Sequence, residues 1–106
     1  MKLKNLTHIP KEVRDRVYER DSFDGWVCCT YCGQPKSAYG TPNIEQHHYI
    51  ERSRGGLGIE ENLICLCKVC HTKVHKGDTD IQNFIREYLS EHYDGWSEDA
   101  LIARKG

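Results

Sequence analysis

The chain lacks several things whose absence narrows its class. Its first twenty residues, MKLKNLTHIPKEVRDRVYER, contain no apolar run of signal-peptide length, and nowhere do eighteen apolar residues follow one another. The expectation is a cytoplasmic protein, or one of the host cytoplasm if phage-encoded, with no membrane partner. Basic excess is missing too: the net charge is −1, so any contact with nucleic acid must be local and not a bulk electrostatic coat. Met1 is the sole methionine, which leaves few axial ligands for a haem. Repeats, low-complexity segments and interdomain linkers are absent, and 106 residues read as a single domain. With 38% hydrophobic and 29% charged residues the chain can bury a modest core, the kind that gains from a staple.

What is present in quantity is cysteine and histidine, six of each. In a reducing compartment cysteines at paired spacing point to metal and not to disulfides. Cys28, Cys29 and Cys32 fall in WVCCTYCGQ, and Cys65, Cys67 and Cys70 in LICLCKVCH. Cys29-x2-Cys32-Gly33 has the form of a zinc knuckle, the glycine letting backbone amides turn back toward the sulfurs. Its partner is Cys67-x2-Cys70, after 34 intervening residues, and together they predict a four-thiolate Zn²⁺ site. Cys28 and Cys65 stay outside that set, Cys65 reading as a buried strand residue between Ile64 and Leu66. Cys67-Lys68-Val69-Cys70-His71 is also the string that anchors a c-type haem, a reading weakened by the missing export signal.

A helix from about Lys68 to Lys76 turns His71 roughly 100° away from Cys70, so His71 cannot easily join the thiolates. His71 and His75, four apart, share a face and can converge on a second ion. Upstream, NIEQHHYIERSRGGLGIEENLICL reads as a strand over Ile44–Ile50, a glycine-rich charged loop over Arg52–Glu61 and a short strand over Leu63–Leu66. His47 and His48 are neighbours on the first strand and point to opposite faces. One can ligate the ion of His71 and His75 while the other, facing a different wall of the cleft, takes a proton from water.

His47-His48, then Asn62, then His71-x3-His75, framed by ERSRGG and NLICLCKVCH, closely resemble the HNH endonucleases over roughly Cys29 to His75. The resemblance implies an α+β fold of the ββα-metal type with a structural four-cysteine zinc, its core at about 27–77. It also implies a divalent ion, Mg²⁺, Mn²⁺, Ni²⁺ or Zn²⁺, held by His47, His71 and His75, with His48 as general base and Asn62 bracing the catalytic loop. DNA is the implied substrate, and a lone site of this kind nicks one strand, double-strand cleavage requiring a homodimer or sequential cuts. Arg52 and Arg54 are candidate phosphate contacts, and Lys68 and Lys73 a candidate basic rim, although exposed lysines on a short helix need no such reason. The competing reading is a noncatalytic zinc module for nucleic acid or protein, in which the histidines close a second structural site.

The flanks read as helices. IPKEVRDRVYERD opens at Pro10 and resembles the lead-in common in that family, giving a helix over about 10–20. DTDIQNFIREYLSEHY places Ile81, Phe84, Ile85, Tyr88 and Leu89 on one stripe, predicting a core-closing helix over about 79–92 with a Thr79/Gln82 capping box. In DGWSEDALIARKG, Trp96, Leu101 and Ile102 either dock back on the domain or meet a second subunit.

Overall fold

The computed structural model describes residues 6–33, 35–37 and 44–103, with 35–37 as backbone. Helix α1 spans Lys11–Arg20, with Pro10 at its N-cap (φ −64°), where a residue lacking an N–H costs nothing. It buries Val17 and Tyr18. Strands β1 (Ser22–Phe23) and β2 (Trp26–Cys28) form a hairpin, and β3 (Pro35–Ser37) adds antiparallel to β2. Asp24 and Gly25 both adopt positive φ, 54° and 82°, the conformation a two-residue hairpin turn requires.

The second sheet pairs β4 (Ile44–His48) with β5 (Leu63–Cys67), antiparallel, from Ile44 opposite Cys67 to His48 opposite Leu63. All five residues of β5 are buried, as an uninterrupted apolar strand must be. Helix α2 (Lys68–His75) follows without a break, and α3 (Thr79–His92) packs Ile81, Ile85 and Leu89 onto the core beside Leu63, Ile64 and Leu66. The result is the strand, loop, strand, helix order of a ββα unit, flanked by α1 and α3. No helix among the described residues is long and apolar enough to cross a membrane.

Several expectations shift by a residue or two. The first strand stops at His48, two residues before Ile50, because Tyr49 and Ile50 turn inward toward Asn62. The second extends to Cys67, and α2 ends at His75. The cap of α3 is not a Thr79/Gln82 box: Asp78, one residue earlier, accepts from the Ile81 amide at 3.1 Å. A carboxylate at the helix start satisfies an orphan amide and faces the positive end of the helix dipole, so it outcompetes the hydroxyl.

A buried acid ties the elements together. Asp21, whose side chain is fully shielded, accepts from Arg20 Nε at 2.7 Å and Nη2 at 2.9 Å, from the Cys65 amide at 2.9 Å and from the Tyr88 hydroxyl. Removing either charge would leave the other unpaired in the core.

The C-terminal stretch docks on its own domain. Leu101 is buried, Trp96 Nε1 donates to the Glu61 carbonyl at 2.8 Å, and Ile102 bridges Gly56. Main-chain bonds from Leu57 N to Leu101 O (2.8 Å) and from Ala103 N to Gly55 O (2.7 Å) complete the seam.

Candidate metal centres and active site

The loop between β4 and β5 is folded on itself by two 3₁₀ turns, Arg52–Arg54 and Glu60–Asn62. Its pin is Asn62, which is entirely buried. Its Oδ1 accepts from Ile50 N at 2.8 Å, while Nδ2 donates to Ile50 O at 3.2 Å and to Leu57 O at 2.9 Å. Its own carbonyl accepts from Tyr49 N at 2.8 Å. One amide thus clamps the backbone immediately after His48, and only Asn or Gln offers donor and acceptor from one side chain in this way.

The glycines of this loop make room for the chain itself. A Cβ on Gly56 would lie 1.6 Å from the Ile50 carbonyl oxygen, and one on Gly58 would lie 2.0 Å from that of His8. Gly55 takes φ 83° to close the first 3₁₀ turn.

Three imidazoles converge at the end of this frame. The ligand nitrogens of His47, His71 and His75 lie within 4.8 Å of one another, with ring centroids 4.6–5.4 Å apart. The Nε2 atoms of His71 and His75 approach to 3.0 Å. His71 donates from Nδ1 to Glu45 Oε1 at 2.7 Å, which fixes its tautomer and leaves Nε2 a lone-pair donor toward the cluster. Glu45 was not singled out from sequence, although it stands two residues before His47 and so on the same strand face. His47 is buried, and its Nε2 has no hydrogen-bond partner. A buried, unpartnered nitrogen on a ring that converges with two other imidazoles is costly in a protein interior unless a cation satisfies it. Burial, and after it the neighbouring His71, His75 and His48, push the His47 pKa down to about 3, so it stays neutral and ready to ligate. The donor set fits a divalent ion held by three nitrogens.

A cleft of about 290 Å³ opens beside this cluster, lined by Gln46, His47, His48, Glu51, Arg52, Ser53, His71 and His75. His47 and His48 both border it, His47 as a member of the imidazole cluster and His48 apart from it. The Nε2 of His48 pairs with the Thr7 carbonyl at 2.9 Å. A carbonyl can only accept, so Nε2 carries the proton and Nδ1 keeps its lone pair. Burial lowers the His48 pKa, with the Thr7 bond opposing and Arg52 adding to the effect. Of the basic residues singled out from sequence, Arg52 borders the cleft, while Arg54, Lys68 and Lys73 are exposed and do not line it.

The four thiols gather around the start of α2, to which Cys67 (its N-cap) and Cys70 belong. Cys29, Cys32, Cys67 and Cys70 place their sulfurs within 4.8 Å of one another, Cys32 and Cys67 being 3.9 Å apart. Gly33, at φ 76°, closes the knuckle by donating to the Cys29 carbonyl at 2.8 Å, and the amides of Cys32 and Cys70 point at the sulfurs of Cys29 and Cys67, each at 3.5 Å. Burial raises the thiol of Cys67, but the Cys70 amide and the neighbouring thiols outweigh it and bring Cys67 below its ordinary value. Burial raises Cys29 and Cys70. Soft donors in a tetrad of this kind suit zinc. Cys67 and Cys70 therefore belong with Cys29 and Cys32, as the metal reading expects. Cys28 lies outside the tetrad with its sulfur toward the Trp26 carbonyl, and Cys65 is buried in β5.

Residues 29–77, which hold this ββα unit with its three converging histidines, His48 and Asn62, match the family model of the HNH endonucleases. The HNH endonuclease domain match covers just under half of the chain. Among its relatives is the type IV methyl-directed restriction enzyme EcoKMcrA of Escherichia coli K12, 35% identical over 78 residues that make up 62% of this chain and 28% of that one. Another is anaredoxin of Nostoc sp. PCC 7120, 49% identical over 35 residues, 33% of this chain and 46% of that protein. The chain thus spans less than half the length of each of these relatives.

Proposed function

We propose that this protein is a metal-dependent DNA endonuclease that hydrolyses phosphodiester bonds and, acting through one site, nicks a single strand. The observation that carries the reading is the convergence of His47, His71 and His75 at the edge of an open cleft, with the Nε2 of His47 buried and unpartnered. Those three imidazoles would hold Mg²⁺, Mn²⁺, Ni²⁺ or Zn²⁺. A bound ion of this kind supplies positive charge to the departing 3′ oxygen. A closed structural site takes four protein ligands, whereas three histidines beside a cleft leave room for substrate, which favours the enzyme over a purely structural module.

His48 is the general base. Its Nδ1 lone pair takes a proton from water, and its lowered pKa keeps the ring neutral at working pH. Asn62 holds the loop on which Arg52 stands, and Arg52 receives a phosphate oxygen at the rim of the cleft. Arg54, Lys68 and Lys73 contribute screened contacts to phosphates further along the strand. The Cys29, Cys32, Cys67 and Cys70 tetrad would hold a structural zinc at the start of α2, the helix that carries His71 and His75. DNA as substrate accords with the restriction-enzyme relative.

The test is nicking of supercoiled plasmid with each of the four ions, comparing the parent protein with His48→Ala. Cutting should require the ion, stop on chelation, and fall by about 10²–10⁴-fold in the variant, the range general-base removal commands. Undiminished cutting by His48→Ala, at unchanged zinc content, overturns the assignment of the base.

A further inference from the structure

We infer that the chain segment Leu6–His8, which lies outside the stretch matched to the HNH family, is part of the catalytic apparatus: Thr7 is a positioning residue that aims the ring of His48 through its main-chain carbonyl. The inference rests on the reading of His48 as general base and adds what holds that base in place.

His48 is the last residue of β4 and only partly buried, so its ring orientation must be set by a partner. The partner is Thr7 O, 2.9 Å from Nε2 and 41 residues away in sequence. A backbone carbonyl accepts without carrying a charge. It commits the proton to Nε2 and the lone pair to Nδ1, and it places no second ion beside the imidazole cluster.

The carbonyl itself is held on both sides. Leu6 O accepts from Gly58 N at 3.0 Å. Thr7 is buried, its hydroxyl receiving Arg52 Nε at 3.5 Å. His8 O occupies the space where any side chain on residue 58 would begin, 2.0 Å from the position of a Cβ. Gly58 does not adopt the left-handed conformation, so the requirement for glycine there is room for the strap. The loop that Asn62 clamps and the strap that sets His48 therefore meet at one glycine. Arg52 links the same strap to the rim of the cleft.

The test uses Gly58→Ala and Gly58→Ser in the full chain, each alone and combined with His48→Ala. Single-turnover nicking should slow by about 100-fold in both, the effect of displacing a catalytic group by about an ångström. Zinc content, affinity of the imidazole cluster for Ni²⁺ and affinity for DNA should stay within about twofold of the parent, and in the His48→Ala background neither change should slow cutting further. Full-rate cutting by either Gly58 variant overturns the inference, as does a slowing of His48→Ala by the same factor, since either means the strap does not act through His48. If His48→Ala cuts like the parent, the base assignment falls and this inference with it.

Discussion

Replacement of Asn62 offers the sharpest check on how the loop is held. Asn62→Ala removes the acceptor of the buried Ile50 amide and the donors to the carbonyls of Ile50 and Leu57. Stranding a buried N–H costs about 2 kcal/mol, and each carbonyl, which retains a second lone pair, about 1 kcal/mol. The sum of about 4 kcal/mol is a large part of the roughly 5–15 kcal/mol that holds a domain together. Asn62→Asp keeps the shape and should be worse at pH 7, because a carboxylate would face two carbonyl oxygens with no proton to give. The expected order of stability is Asn, then Ala, then Asp, with the Asp variant recovering partly as acid protonates it. Urea unfolding at fixed free zinc measures the order, and hydrogen exchange at the Ile50 amide locates the damage. An Asn62→Asp protein within about 1 kcal/mol of the parent would refute the reasoning that this amide clamps the loop.

Glu45→Gln removes the carboxylate that orients His71 and should weaken Ni²⁺ or Mn²⁺ binding by about 10–100-fold in calorimetry; an unchanged affinity would mean the 2.7 Å contact is incidental. Cys29→Ser should strip the zinc and most of the fold, because metal-binding energy on the order of 10 kcal/mol is folding energy, whereas Cys28→Ser, outside the tetrad, should retain its zinc in a chelator-release assay. Acid should destabilise the protein through His47. Its folded pKa of about 3 lies below an unfolded value of about 6.5, so between these pH values the unfolded chain binds the extra proton. Stability contributed by this group is present above pH 6.5 and falls with pH, with a slope approaching about 1.4 kcal/mol per pH unit that His47→Asn should abolish; equal slopes in the two proteins between pH 6 and 5 would count against it.

Much of this protein is written in local pattern. Cys-x2-Cys twice and His-x3-His once have a fixed meaning in a turn or on a helix, because spacing alone decides which side chains share a face. The periodicity of 79–92 and the apolar run at 63–67 likewise depend on neighbours a few residues away. Asn62 was identified through the family resemblance, but the three backbone groups it clamps emerge only when the loop closes. The Glu45 support of His71 joins residues 26 apart, the Thr7 support of His48 joins residues 41 apart, and the shared pairing of Asp21 with Arg20, Cys65 and Tyr88 draws on three elements. Such contacts leave no periodic trace, since a carbonyl or an acid looks the same in sequence whether it faces water or a ring. The docking of Leu101 was also settled by packing, whereas the cap at Asp78 is a local contact three residues long. Which ligands the chain possesses is a property of its sequence; which groups aim them is a property of long-range closure, because orientation is fixed by partners that only folding brings within hydrogen-bond reach.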